Sequence, residues 1–140
     1  MTQLNMNSDT VSSVHYKAGQ DVYNFKWHKV KVCADTIAER VRESGVKYSS
    51  IYGVPRGGLV VAVLLSHRLN IPVVWRCGIT PNTLIVDDVE DSGNCLKHLL
   101  DIYPKCDCAV LITKRLKRTL VRYWGAFTTK EEWIMFPWED

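Results

Sequence analysis

The chain has 140 residues, of which 46% are hydrophobic and 24% charged, with a formal net charge of +3. These values are typical of one folded, soluble domain. The longest apolar run, residues 59–65, is too short to cross a bilayer, and the polar residues 1–20 lack the apolar stretch of a signal peptide. We therefore expect a polar N-terminal arm (1–20), a single domain (21–140) and no membrane partner.

The cysteine content indicates the cellular compartment. Five cysteines are present, an odd number, and they form no Cys-x-x-Cys motif. No pair of histidines has the spacing of metal ligands. The pattern favours reduced thiols in a cytoplasmic protein over disulfide bonds or a structural zinc site.

Strand and helix patterns alternate along the chain. Apolar residues at helical spacing predict a helix over 30–41, and Gly45 follows it as a stop signal. The next predicted elements are a buried strand at 50–54, a helix at 59–69, strands at 71–75 and 83–86, a polar loop at 87–94, a helix at 95–102 and a strand at 108–113. The alternation predicts an α/β fold with a doubly wound parallel sheet. Aromatic residues after about 115 show no helical period, and we predict that they form a small hood over the sheet edge.

The segment 84–95 carries the strongest chemical signal. A buried strand leads into Asp87 and Asp88, then into Glu90 and Asp91, and a Ser-Gly-Asn turn opens the next helix. Main-chain N–H groups at a helix N-terminus bind phosphate, and carboxylates suit a ribose diol or Mg²⁺. The alternative is an acidic loop that only caps the helix. Four acids in five residues would repel one another without a cation, which favours a ligand site.

A second turn, Pro55-Arg56-Gly57-Gly58, also joins a strand to a helix. Its arginine can bind a polyanion, although many α/β proteins have a turn of this kind. Ligands of open parallel sheets bind outside the carboxyl ends of the strands, where both turns are expected. Their pairing therefore indicates one shared site.

Basic residues cluster further along the chain, at Lys114, Arg115, Lys117, Arg118 and Arg122. Three interpretations remain open: a solvated loop, a patch facing an anionic ligand, and a nucleic-acid surface. We rank nucleic acid last, because a net charge of +3 does not by itself indicate it.

The acidic strand, loop and helix resemble the phosphoribosyl-pyrophosphate (PRPP) motif of type I phosphoribosyltransferases, and Pro55-Arg56-Gly57-Gly58 resembles the pyrophosphate loop of that family. Similarity over about residues 25–139 points to bacterial xanthine–guanine phosphoribosyltransferases. It includes Trp27, Tyr103-Pro104-Lys105, Thr113-Lys114, Glu132-Trp133-Ile134 and Pro137-Trp138-Glu139. The resemblance implies a purine-salvage enzyme that transfers the 5-phosphoribosyl group from PRPP to a 6-oxopurine (xanthine, guanine or hypoxanthine) and releases pyrophosphate.

The resemblance also implies roles for single residues. Asp91 and Lys114 would be catalytic, and Asp91 would manage a proton near purine N7. Asp88 would bind Mg²⁺, the expected cofactor. The other implied roles are PRPP and 5′-phosphate binding by Asp87, Asp88, Asp91, Ser92, Gly93, Asn94 and Cys95, pyrophosphate binding by Arg56 and Gly57, and purine binding by Lys114, Trp133 and Ile134. We expect a homodimer or tetramer.

Three features depart from the family pattern. The mobile loop that closes over PRPP is reduced to residues 76–82, Cys95 stands where a threonine binds phosphate, and Glu90 replaces an apolar residue. A loop this short cannot cover the site, so residues 1–20 or a neighbouring subunit would have to do so. A catalytically silent module that binds a nucleotide or PRPP is therefore the second hypothesis.

Overall fold

The structure is a computed structural model that describes residues 2–3, 15–16 and 20–139. In chain order the strands are β1 (Thr2–Gln3), β2 (His15–Tyr16), β3 (Gln20–Asn24), β4 (Ser50–Gly53), β5 (Thr83–Glu90), β6 (Asp107–Thr113), β7 (Tyr123–Phe127) and β8 (Trp133–Met135). The helices are α1 (Trp27–Ser44), α2 (Gly57–Leu69) and α3 (Asn94–Ile102), and short 3-10 turns cover Arg76–Gly78 and Pro137–Glu139. Within these residues, no helix combines the length and the apolar character needed to span a bilayer.

The main sheet contains the strands in the order β1-β7-β6-β5-β4, and all its pairs are parallel. A smaller sheet has the order β2-β3-β8, in which β2 is antiparallel and β8 parallel to β3. Helices cover both faces of the main sheet. The predicted α/β fold with a parallel sheet is confirmed.

Each face of the main sheet has its own apolar core. Ile51 and Leu84 pack on the side of α1 and α2, whereas their neighbours Tyr52 and Ile85 pack on the side of α3. Successive residues of a strand point to opposite faces, so a strand buried on both faces is apolar along its whole length. This arrangement fills the faces with helices and leaves the strand ends for a ligand.

The helix boundaries follow their sequence signals. α1 ends at Gly45, which has a φ of 74° and donates its N–H to the carbonyl of Arg42. α2 ends at Asn70, which also has a left-handed backbone, with a φ of 56°. The helices predicted at 30–41, 59–69 and 95–102 are confirmed, and each begins one to three residues earlier than predicted.

The prediction of a strand at 71–75 is wrong. The structure has only a single bridge there, between Val73 and Ile51. Pro72 lacks an N–H and contributes only its carbonyl, which accepts the N–H of Ile51 at 2.9 Å. The segment therefore lies along the edge of β4 without forming a ladder.

The prediction of a polar loop at 87–94 is also wrong over its first half. β5 continues to Glu90, because its pairing with β6 runs on to the register of Glu90 with Thr113. The carboxylates of Asp87 and Asp88 therefore lie on a strand held by a neighbouring strand. Such a strand fixes side-chain positions more tightly than a loop does.

The C-terminal segment is divided between the two sheets. Tyr123–Phe127 form β7 and pair with β6 inside the main sheet, which corrects the prediction of a hood over this part. Tyr123 and Ala126 enter the core, which explains the lack of a helical period. Trp133–Met135 pair with β3 in the smaller sheet. The division into an arm (1–20) and one domain (21–140) stays a prediction, and residues 4–14 and 17–19 lie outside the described residues.

Candidate active site

An open cavity of about 830 Å³ lies at the carboxyl ends of β4 and β5. The residues that the sequence predicts for the site all line it, namely Arg56, Gly57, Asp87, Asp88, Asp91, Ser92, Gly93, Asn94, Cys95, Lys114, Trp133 and Ile134. Among the described residues, none of 76–82 lines the cavity, as expected for a shortened loop. Thr2–Gln3 lie at the opposite edge of the main sheet, beyond β7 and β6.

The two predicted loops pack directly against each other. The N–H of Val54 donates to the carbonyl of Val86 at 2.9 Å, and this bond joins the end of β4 to β5. A Cβ on Gly57 would overlap Oδ2 of Asp88 and would lie 3.1 Å from Nε1 of Trp138. Only glycine permits this approach. The N-terminus of α2 is therefore held beside the carboxylate of Asp88.

Arg56 precedes α2 and is exposed at the cavity. The peptide bond between Pro55 and Arg56 is cis. The N–H groups of Gly58 and Leu59 already donate to the carbonyls of Val54 and Arg56. The Gly57 N–H and the Arg56 guanidinium belong to residues that line the cavity, and both are donors suited to an anion. The turn can therefore bind a phosphate group on the side of the cavity nearest β4.

The surroundings of Asp87 and Asp88 do not neutralise two adjacent negative charges. Oδ1 of Asp87 accepts the N–H of Asp88, and Oδ1 of Asp88 accepts the N–H of Val89, each at 2.8 Å. Burial, reinforced by the charge of Asp88, raises the pKa of Asp87 to about 8. A cation in the cavity would relieve this repulsion.

Magnesium binding can be tested against this donor set. The described residues contain no group of three or more His, Cys, Asp or Glu side chains that could enclose a metal ion. Mg²⁺ commonly keeps several waters and binds through one or two carboxylates together with phosphate oxygens of a substrate. Asp87 and Asp88 fit this second mode, in which the substrate supplies part of the coordination.

Glu90 is buried and hydrogen-bonded within the protein, unlike the acids around it. Its side chain is 1% exposed and accepts three hydrogen bonds, from Thr113 Oγ1 at 2.7 Å, Thr119 Oγ1 at 2.5 Å and the Leu120 N–H at 2.8 Å. The carboxylate therefore ties the end of β5 to β6 and to the segment after it. The sequence alone could not reveal this role, because the donors lie 23 to 30 residues further along the chain.

Asp91 and Lys114 both line the cavity and contact each other. Nζ of Lys114 lies 3.5 Å from Oδ2 of Asp91 and donates to the carbonyl of Glu132 at 2.6 Å. The lysine side chain is 8% exposed, whereas that of Asp91 is 57% exposed. An ammonium has three donors, so the Lys114 amine can also donate to a ligand.

β8 presents its main chain to the cavity. The N–H of Phe25 donates to the carbonyl of Met135 at 2.8 Å, so the main-chain groups of Met135 point toward β3. Main-chain groups alternate in direction along a strand, and those of Ile134 therefore point away from β3. The Ile134 side chain is buried, and Trp133 next to it is half-buried at the rim.

Two further cavity residues, Trp138 and Glu139, had no predicted role. Trp138 stacks on Phe136 with ring centroids 4.8 Å apart, and its buried Nε1 has no hydrogen-bond partner among the described residues. Burial, with a contribution from the charge of Asp88, raises the pKa of Glu139. The Pro-Trp-Glu sequence was the available signal, but it does not show that its side chains reach β5.

An acidic strand end beside two helix N-termini is typical of α/β proteins that bind a phosphorylated sugar. The solved purine phosphoribosyltransferase from Pyrococcus horikoshii Ot3 is 31% identical, covers 85% of this chain and 95% of its own, and has a TM-score of 0.71. The xanthine-guanine phosphoribosyltransferase of Cereibacter sphaeroides (strain ATCC 17025 / ATH 2.4.3) is 26% identical, with 84% of this chain and 86% of the relative covered. A Neisseria gonorrhoeae protein solved with bound ppGpp shares the fold, with a TM-score of 0.72 and 20% identity over 86% of this chain and 90% of its own. No family model matches the chain.

The chain belongs to the type I phosphoribosyltransferase family. The similarity to the Pyrococcus structure extends over 95% of that protein. The resemblance found in the sequence is therefore confirmed, and with it the expectation of an enzyme of the phosphoribosyltransferase class.

Proposed function

We propose that this protein transfers the 5-phosphoribosyl group of PRPP to a 6-oxopurine and releases pyrophosphate. A bond forms between C1′ of the ribose and a purine nitrogen, the bond from C1′ to the pyrophosphate oxygen breaks, and the proton of the purine nitrogen is released. The convergence of the two loops and β8 on one cavity carries the proposal. The names of the relatives agree with this reaction.

The phosphorylated ribose would bind between β5 and α3. The turn of Ser92, Gly93, Asn94 and Cys95 opens α3 and offers its first N–H groups to the 5′-phosphate. The carboxylates of Asp87 and Asp88 would accept hydrogen bonds from the ribose hydroxyls. C1′ of the ribose would then lie between the two loops.

Pyrophosphate would leave toward α2. Arg56 and the N-terminus of α2 at Gly57 supply donors on that side of the cavity. Mg²⁺ held by Asp88 and by substrate oxygens would neutralise charge on the departing pyrophosphate. The carboxylates nearby would stabilise the positive charge that develops on the ribose.

The purine would lie between Lys114 and β8. Lys114 would donate to the purine O6, Trp133 would stack on the base, and the main chain of Ile134 would contact the exocyclic edge. Asp91 lies beside Lys114 and would manage the proton at N7. The homodimer or tetramer, the cytoplasmic location and the role in salvage stay predictions.

The first experiment measures pyrophosphate release from PRPP and Mg²⁺ with xanthine, guanine, hypoxanthine or adenine. We expect release with at least one 6-oxopurine and none after chelation of Mg²⁺. Asp91→Asn should lower kcat/KM by about 100- to 10,000-fold, the usual contribution of a general acid or base. Asp101→Asn is the matched control, because Asp101 lies on the surface of α3 outside the cavity and pairs with Lys97.

The opposite result has a clear meaning. If no base supports release while GMP still binds, the protein is the silent nucleotide-binding module of the second hypothesis. If Asp91→Asn keeps full activity, the assignment of Asp91 is wrong even when the reaction itself is right.

A further inference from the structure

The phosphate site, as predicted from the sequence, lacks a cationic side chain. The residues expected to surround the 5′-phosphate include the carboxylate of Asp91, which repels a phosphate dianion. Lys114 is nearby, but its amine contacts Glu132 and Asp91 and is expected to bind the purine. Cys95 offers only a thiol, which is a weak donor. A dianion bound here would need another positive charge.

Arg115 is in a position to supply that charge. A Cβ on Gly93 would lie 2.5 Å from Nη1 of Arg115 and 3.2 Å from its Cζ, so the guanidinium covers the glycine at the start of α3. Gly93 has a φ of 81°, and the helix begins at the next residue. The guanidinium therefore lies beside the N–H groups that would bind the phosphate.

The main chain of Arg115 is held by the buried Glu90. The N–H of Arg115 donates to Oγ1 of Thr113 at 3.0 Å, and this hydroxyl donates to Glu90 at 2.7 Å. The carbonyl of Arg115 accepts the N–H of Arg118 at 2.8 Å. These bonds fix the backbone from which the guanidinium extends over the turn.

Three arginines of the described residues pair with acids, namely Arg40 with Glu43, Arg68 with Asp35 and Arg122 with Asp107. Within residues 21–139, no carboxylate forms an ion pair with Arg115. Arg115 is also partly buried, whereas its neighbour Arg118 is exposed. A partly buried guanidinium above a phosphate-binding turn is suited to an anionic ligand.

We propose that Arg115 binds the 5′-phosphate of PRPP and of the nucleotide product, a role that rests on the proposed function. Its guanidinium donates charge-assisted hydrogen bonds to the dianion and compensates for the carboxylate of Asp91 and the weak thiol of Cys95. The basic cluster of the sequence therefore has two environments: the guanidinium of Arg115 covers the turn at Gly93, whereas Arg118 is exposed.

The test compares GMP with guanosine, which differ only by the 5′-phosphate. Loss of one charge-assisted hydrogen bond should raise the Kd of GMP by about 10- to 100-fold in Arg115→Gln. The Kd of guanosine should stay unchanged, and the KM for PRPP should rise more than kcat falls. Arg115→Lys should recover part of the affinity, because it restores the charge without the planar fork. Arg118→Gln is the matched control and should bind GMP as the wild type does.

Each other outcome contradicts the proposal. Equal loss of GMP and guanosine binding would mean that Arg115 only supports the turn. Unchanged GMP binding in Arg115→Gln, with an active wild-type enzyme, would exclude Arg115 and leave the proposed function intact. Failure of the wild-type protein to bind GMP and to consume PRPP would overturn the proposed function and this assignment together.

Discussion

The two ends of the parallel sheet hold polar clusters of opposite character. At the amino ends of β6 and β7, the hydroxyl of Tyr48 donates to Asp107 at 2.5 Å and lies 2.8 Å from the hydroxyl of Tyr123. Tyr123 in turn donates to Ser44 at 3.0 Å, and Arg122 donates to Asp107 at 3.0 Å. This cluster supplies its own donors and acceptors, so it closes that end of the sheet.

The cluster at the carboxyl ends is open. The carboxylates of Asp87 and Asp88 accept N–H groups of the residues that follow them, and their mutual repulsion is not relieved by the protein. Nε1 of Trp138 is buried nearby without a partner in the described part of the chain. Polar groups with partners hold the sheet together at one end, whereas polar groups without partners at the other end are suited to bind a ligand.

Glu90 lies at the open end, but its carboxylate has hydrogen-bond donors within the protein, as the polar groups of the closed cluster do. Glu90→Val would leave the hydroxyls of Thr113 and Thr119 and the Leu120 N–H without their acceptor. We expect the free energy of unfolding to fall by about 2–4 kcal/mol, the cost of several buried donors left unpaired. Chemical denaturation would measure this loss.

The matched control for Glu90 is Glu39→Val on the exposed surface of α1. It should cost only the helix-propensity difference, about 0.5 kcal/mol. Equal stability of Glu90→Val and the wild type would show that the three donors find other acceptors. The structural role assigned to the Glu90 carboxylate would then be wrong.

The sequence predicts those parts of the fold that depend on neighbours along the chain. Apolar runs at 50–54 and 83–86 predict buried strands, and the turns at Gly57 and Gly93 predict two loops that meet at one cavity. These features were predictable because the residues in each motif are adjacent and their chemistry is local. The residues chosen for the site do line one cavity.

The remaining features depend on contacts between residues that lie far apart in the sequence. Nothing near Glu90 in the sequence shows that the Thr119 hydroxyl will donate a hydrogen bond to it. Nothing near Arg115 in the sequence shows that its guanidinium will cover Gly93. The residues around Pro72 favour a strand, but only a single bridge forms there. The effect of the missing Pro72 N–H could not be predicted, because it depends on which strand lies alongside. β7 was missed because its pairing with β6, and not its composition, makes it a strand.

Tyr48→Phe tests the closed end. Removing the hydroxyl deletes its hydrogen bond to Asp107 and its close contact with the Tyr123 hydroxyl, and it should lower the free energy of unfolding by about 1–2 kcal/mol. Because the cluster lies at the end of the sheet opposite the cavity, the KM for PRPP should not change. Thermal denaturation and steady-state kinetics would measure both, and Tyr103→Phe, outside the cluster, is the control. A large change in KM with unchanged stability would mean that the two ends are not separate in function.

Cys95→Thr has the smallest expected effect and tests whether the open end has room for a stronger donor. Cys95 lines the cavity in the first turn of α3, where a hydroxyl donates to phosphate more strongly than a thiol does. One added neutral hydrogen bond, about 0.5–1 kcal/mol, should lower the Kd of GMP by about two- to five-fold. Cys77→Thr is the control, since Cys77 is equally exposed but lies outside the cavity lining. Weaker GMP binding by Cys95→Thr would show that the thiol fits the turn better than a hydroxyl, and that Arg115 and the N–H groups already satisfy the phosphate.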